Sequence, residues 1–282
     1  MASTAGAGDG LRMLYPEAGT APLRGLYLGH RLRERARDGG AFVYTNFVAS
    51  LDGRIAVRRP GTERVGVPEA TANPRDWRLF LELAAPADAL IVSGRFVREL
   101  AEGTAQSRPP FEGGEAPDLE AFRRDQGLPP HPAMVVMSRN LDLPAEGLFG
   151  GAERRVILAT GPGADARRRA GLEAAGAEVI EAGGGGAHVQ GCPLVDALAA
   201  RGLRLIYSIA GPEVLHTLVR DGALDRIYLT TVLRVLGGEH YATLARGPHL
   251  DPPPDFRLSA LYLDSRGPGG VEQLMQVYDR AG

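Results

Sequence analysis

The sequence predicts an α/β layered domain built on a largely parallel central sheet. Apolar, β-rich runs alternate with helix-compatible segments from residue 41 onward, and such alternation is what parallel strands joined by helical crossovers require. With 282 residues and 44% apolar content, the chain can bury one large core or two modest ones. A net charge of −2 leaves no global field to attract nucleic acid or an acidic membrane surface, so small-molecule chemistry is the better expectation.

Residues 1–40 read as an N-terminal extension. The opening MASTAGAGDG lacks the basic start and apolar core of a secretory signal. It reads as a poorly ordered start. RLRERARDGG then reads as a short exposed helix ending at Gly39-Gly40, with no chemistry expected, though it can pack on a neighbour. No apolar run approaches membrane-spanning length, so a cytoplasmic location is expected.

The body, 41–282, carries seven candidate strands: 42–50, 87–94, 133–139, 154–160, 177–183, 204–211 and 225–233. Helix-compatible segments lie at 74–84, 95–101, 165–175, 193–201 and 212–221. Residues 103–132, rich in Pro and Gly, interrupt this rhythm and read as a long surface loop or flap. The run Gly183–Gly186 reads as a flexible loop after its strand.

Single-residue chemistry narrows the classes. The lone Cys192 excludes an internal disulfide and any multi-cysteine metal site, is consistent with a reducing compartment, and reads as a structural loop position between Gly191 and Pro193. The six histidines are scattered, so no metal or triad chemistry is expected. There is no Walker A motif, no GxGxxG opening a helix and no HExxH.

The most informative stretch is YTNFVASLDGRIA, residues 44–56. An alternating β-pattern runs into Asp52-Gly53, a turn pair able to adopt positive φ. Asn46, Ser50 and Asp52 stand at even spacing, which in an extended chain puts an amide, a hydroxyl and a carboxylate on one face. That set suits a polar small-molecule site, although a plain strand and turn would also account for it.

Ligands of open α/β sheets bind beyond the carboxyl ends of the strands. There the sequence offers Ser93-Gly94-Arg95 before a helix, Ser138-Arg139, and Gly211-Pro212-Glu213 opening another helix. Glycine before a helix lets backbone amides approach a phosphate, Pro212 suits a first helical turn, and arginine matches a phosphate monoester.

Taken in order, TNFVASLDGRIA, DALIVSGRFV, VVMSR and IAGPEVLHTLVRDGALDRIYLTTVLRVLGG resemble the reductase domain of the riboflavin-biosynthesis deaminase-reductase family. The resemblance covers about residues 41–279 and implies a dihydrofolate-reductase-like three-layer αβα fold. It implies an NADPH-dependent oxidoreductase resembling 5-amino-6-(5-phosphoribosylamino)uracil reductase, with hydride passing to the ribosyl carbon, usually in a homodimer. The family's zinc-binding deaminase half is absent from this chain.

On the same resemblance, Ser93, Gly94 and Arg95 lie along the cofactor phosphates, and Ser138 and Arg139 near the adenosine 2′-phosphate. Gly211, Pro212, Glu213, Val214 and Leu215 lie under the pyrophosphate, with Thr160 a further cofactor residue. Asn46, Ser50 and Asp52 face nicotinamide and substrate, Asp52 being the candidate for proton handling. The chain departs from the family where Ile209-Ala210-Gly211 replaces an acidic residue, where Ala84 replaces a substrate-binding arginine, and where Arg95-Phe96-Val97 replaces Gly-Thr-Val. The family's following acidic-Pro-Leu segment with its arginine is also not recognisable. Those departures keep two alternatives open: a reductase of the same fold acting on another heterocycle or carbonyl, and a non-catalytic NADP-binding dimeric protein.

Overall fold

The computed structural model describes residues 10–37, 40–58, 61–62, 65–105, 110–111, 114–151 and 153–282. In chain order the strands and helices are β1 (Gly10–Tyr15), β2 (Gly19–Pro22), α1 (Leu32–Arg37), β3 (Phe42–Ser50), β4 (Ala56–Arg58), β5 (Val65–Gly66), α2 (Pro74–Ala84) and β6 (Ala89–Ser93). They continue as α3 (Gly94–Ala101), α4 (Pro117–Asp125), β7 (Ala133–Met137), α5 (Ala145–Phe149), β8 (Val156–Thr160), α6 (Ala166–Ala174) and β9 (Glu178–Glu181). The remainder is α7 (Gly191–Ala199), β10 (Leu205–Ser208), α8 (Pro212–Arg220), β11 (Arg226–Val232), β12 (Tyr241–Ala242), β13 (Phe256–Asp264) and β14 (Gln273–Arg280).

An eleven-stranded sheet runs in the order β2-β1-β13-β14-β11-β3-β10-β6-β7-β8-β9. From β11 to β9 every neighbouring pair is parallel, and from β11 to β2 every pair is antiparallel. The three-layer α/β fold with a mostly parallel sheet is therefore the fold observed. All seven predicted strands form, and the predicted helix 74–84 is α2 residue for residue.

Side-chain alternation assigns the layers. Tyr44, Tyr207 and Tyr228 share one face and pack with Leu79 and Leu83 of α2 and Leu119 of α4. Farther along that face, Val92, Val136 and Leu158 meet Val97 of α3, Leu148 of α5 and Leu172 of α6. On the opposite face Val43, Ile91 and Ile206 pack against Leu194 and Leu198 of α7 and Leu215 and Leu218 of α8.

Several expectations change. The start of the chain is not all loose: residues 1–9 lie outside the described residues, but β1 pairs with β13, and Leu11, Leu23 and Tyr27 are buried in the core. Helix α1 forms as expected yet buries Leu32 and Ala36, so it is not wholly exposed, and Gly39 lies outside the described residues. The 103–132 segment contains α4 and buries Phe111 and Leu119. Arg123 there is 1% exposed and donates to the carbonyls of Ala85, Ala87, Pro129 and Pro130, so residues 114–132 are packed onto the core, while 106–109 and 112–113 lie outside the described residues.

Cys192 sits in the first turn of α7, with Sγ donating to the Asp221 carbonyl, and not in a loop. The glycine run is docked: Gly163 N–H donates to Gly186 O at 2.9 Å, and a Cβ on Gly161 would stand 2.4 Å from that same oxygen. Among the described residues no helix is long and apolar enough to cross a membrane, and no group of three or more His, Cys, Asp or Glu is placed to hold a metal.

Candidate active site at the carboxyl ends of the strands

The candidate residues separated in sequence fall on consecutive strand ends. In sheet order, Asn46 and Ser50 belong to β3, Gly211 follows β10, Ser93 closes β6 with Gly94 and Arg95 after it, Ser138–Arg139 follow β7, and Thr160 closes β8. Four strand spacings of about 4.8 Å make this row roughly 19 Å long. Two helices begin on it, so their partly positive N-termini face the same edge.

Each position has a local cause. Ser93 caps α3, its hydroxyl accepting from Phe96 N–H at 3.3 Å. Ser138 caps the next turn, accepting from Leu141 N–H at 3.1 Å, and is 6% exposed. A Cβ on Gly94 would stand 3.1 Å from Leu143 and 3.5 Å from the Ser138 hydroxyl, so this helix start is packed against the next strand end.

Gly211 caps α8 and Pro212 takes its first position. Val214 and Leu215 point into the core, and their amides already donate to Gly211 O. What they offer a ligand is the placement of this helix start. Glu213 is exposed, 3.6 Å from Arg246. Arg139 is exposed at the edge, whereas Arg95 is engaged, pairing with Glu99 at 2.7 Å and donating to Val65 O at 3.0 Å.

The turn after β3 is tightly built. Gly53 has φ +78, as the Asp-Gly pair predicts. The Asp52 carboxylate accepts from Ser50 Oγ at 2.5 Å, from Gly237 N–H at 2.9 Å, from Leu236 N–H at 3.2 Å, and from the Arg54 guanidinium. The Ser50 hydroxyl first, then the Gly237 amide, hold its pKa down to about 2. Asp52 thus clamps the β3 turn to the loop after β11 as a fixed negative charge. Asn46 lies on the same face of β3 as Ser50, and its Oδ1 accepts from Tyr207 hydroxyl at 2.5 Å.

Above this face lies a carboxyl group that sequence reading overlooked. Asp76 stands in the first turn of α2. Burial pushes its pKa up to about 6, and the Thr230 hydroxyl opposes that rise. The available signal was a charged side chain one turn before Leu79 and Phe80, on the apolar stripe of PRDWRLFLELA.

An extended dinucleotide fits this edge on two observations. The Thr160 hydroxyl is 1% exposed and has no partner among the described residues, and a Cβ at Gly211 would meet nothing nearer than Glu213 Oε2 at 3.9 Å. A buried donor awaiting an acceptor and an open helix start are what a phosphate or ribose would use.

The RibD C-terminal domain family model matches residues 41–266. Among solved structures, a pyrimidine reductase-like protein of Corynebacterium diphtheriae is 23% identical with TM-score 0.58, covering 86% of this chain and 92% of that one. The riboflavin biosynthesis reductase Rib7 of Saccharomyces cerevisiae is 14% identical with TM-score 0.54, covering 91% and 99%. Acinetobacter baumannii RibD is 14% identical with TM-score 0.55, covering 86% of this chain and 59% of its own length. These likenesses show a shared fold. No curated protein matches the chain.

Proposed function

Because the chain belongs to the RibD C-terminal domain family, we propose that it is an NADPH-dependent reductase of a ribosylaminopyrimidine, acting as a 5-amino-6-(5-phosphoribosylamino)uracil reductase. The observation that carries this reading is the row of strand ends just described, with two helix starts and an orphaned buried hydroxyl beside the Asn46–Ser50 face of β3. The cofactor bound there supplies a hydride, and the substrate carbon that receives it is the sugar carbon attached to nitrogen.

Ser93, Gly94, Ser138, Thr160 and the Gly211–Glu213 helix start line the cofactor row, and Arg95 and Arg139 flank it as the cationic groups for a 2′-phosphate. Asn46 and the Ser50–Asp52 turn form the wall on the substrate side. Asp52, held ionised, fixes that wall and favours positive charge developing near it. The enzyme works as a cytoplasmic homodimer in this reading. A second reading, a reductase of the same fold with another heterocyclic or carbonyl substrate, is favoured by Ala84 and Ile209-Ala210, where the family's arginine and acidic residue are missing.

Turnover of 5-amino-6-(5-phosphoribosylamino)uracil with deuterated NADPH decides between them. Deuterium on the former anomeric carbon of a ribitylamino product supports the first reading. NADPH oxidation only with other carbonyl or heterocyclic compounds supports the second.

A further inference from the structure

The corner after β7, Ser138–Asp142, is held in a shape its residues do not favour. Leu141 has φ +53, a left-handed backbone that an apolar branched side chain adopts only where its surroundings impose it. Three contacts fix the corner. The Ser138 hydroxyl accepts from Leu141 N–H at 3.1 Å, Arg98 Nη1 of α3 donates to Asp142 O at 3.1 Å, and Arg168 Nη1 of α6 donates to Asn140 O at 3.1 Å. Helices α3 and α6 leave β6 and β8, the two neighbours of β7, so the arginines reach the corner from either side.

These contacts leave most of each guanidinium open to a ligand. A guanidinium has five N–H donors, and each arginine gives the backbone of the corner one; Arg168 Nη2 also lies 3.9 Å from Asp142 Oδ1. Both arginines are exposed, as is Arg139 within the corner. Against these three cations the corner has one acid, Asp142, whose side chain is 64% exposed. Asp165 at the start of α6 turns its carboxylate to the Arg167 and Arg168 backbone N–H groups, 2.9 Å from each, as the helix cap. The corner is therefore net positive and rich in donors.

Its place in the row of strand ends decides what it meets. A Cβ on Gly94 would stand 3.5 Å from both Arg98 Nη1 and the Ser138 hydroxyl, so the Arg98 guanidinium folds back over the start of α3 toward the end of β7. Arg95 of the same helix is taken up by Glu99 at 2.7 Å and Val65 O at 3.0 Å.

We infer that Arg98 and Arg168, closing on the corner that carries Arg139, clamp the 2′-phosphate of NADPH and set the preference for it over NADH. This rests on the reductase reading. A phosphate monoester carries roughly −1.5 to −2 charge near neutral pH, with three acceptor oxygens that arginine forks match in shape. Because the backbone of the corner is already fixed, less ordering is left to binding. NADH offers these guanidiniums no phosphate, so its affinity owes nothing to them.

The test uses the full chain with Arg98→Gln, Arg168→Gln and the double variant, checked for retained folding by thermal melting. Glutamine keeps an N–H able to reach a carbonyl and removes the charge. Fluorescence titration reads NADPH and NADH affinity, and calorimetry reads adenosine 2′,5′-bisphosphate against adenosine 3′,5′-bisphosphate; neither needs turnover. We expect each single variant to weaken NADPH and the 2′,5′-bisphosphate at least fivefold and the double variant at least twentyfold, with NADH within twofold of the parent. The parent should bind the 2′,5′-bisphosphate more tightly than the 3′,5′-bisphosphate, and the double variant should lose that distinction.

An unchanged NADPH-to-NADH ratio in the double variant overturns the inference. Equal weakening of both nucleotides overturns it too, because the arginines would then only brace the corner. In both cases the parent still binds NADPH and the reductase reading stands. Failure of the parent to bind either nucleotide overturns that reading, and the clamp with it.

Discussion

Asn73 and Gln273, 200 residues apart in the chain, share a hydrogen bond of 3.1 Å that ties the first turn of α2 to the C-terminal hairpin. Asn73 uses its other side-chain atom to cap the helix at Asp76 N–H. Gln273 is fully buried, so its amide has no water to turn to if Asn73 is removed.

Asn73→Ala is therefore expected to lower stability by about 2 kcal/mol, combining a lost cap of about 1 kcal/mol with a buried amide left short of a partner. Urea denaturation followed by far-UV circular dichroism checks this. A midpoint equal to that of the parent would show that the network does not hold the helix.

His30 bridges the hydroxyls of Tyr228 at 3.0 Å and Tyr262 at 3.3 Å. Burial, reinforced by Arg226, lowers its pKa from 6.5 to about 4. Since the folded-state value is the lower one, the unfolded chain takes up the proton first. The stabilisation is complete above pH 6.5 and is lost as pH falls toward 4, by at most about 3 kcal/mol. Melting temperatures between pH 7 and 4.5 should drop more steeply for the parent than for His30→Asn, and parallel curves would refute the assignment.

Asp52→Asn removes an ionised acceptor from Ser50, Arg54, Leu236 and Gly237. It is expected to cut turnover at least tenfold while moving NADPH affinity less than threefold, because the clamp shapes the substrate wall. Its low pKa of about 2 means that the clamp persists at neutral pH and weakens only in strong acid. Full turnover in Asp52→Asn would reduce this residue to a turn former.

Arg95→Ala and Arg139→Ala should each lower the NADPH-over-NADH preference about tenfold if both flank the 2′-phosphate. Arg139, exposed and free to turn toward a ligand, should show the larger effect, because Arg95 must first leave Glu99 and Val65. Fluorescence titrations with both nucleotides measure this, and an unchanged preference in both variants would contradict it.

Much of the sheet was legible because its inner strands are buried on both faces and read as unbroken apolar runs, such as ALIV at 89–92 and VILA at 156–159. The Asp-Gly corner and the Gly-Pro helix start were legible because glycine and proline carry their backbone geometry with them. The C-terminal strands β13 and β14 were missed because half their residues face outward, as in Phe256–Asp264, and only a single 3-10 turn, Pro268–Gly270, separates them. The β1 strand escaped for a similar reason, burying little beyond Leu11. The burial of Asp76 was invisible because it depends on how α2 packs on the sheet, which no local pattern in PRDWRLFLELA fixes.

The most direct test of the reductase account is titration of the purified full chain with NADPH and with NADH, followed in the same cuvette by addition of 5-amino-6-(5-phosphoribosylamino)uracil. The account predicts saturable binding that favours NADPH, and then substrate-dependent loss of the reduced-nicotinamide absorbance. Absence of saturable binding by either nucleotide would contradict it.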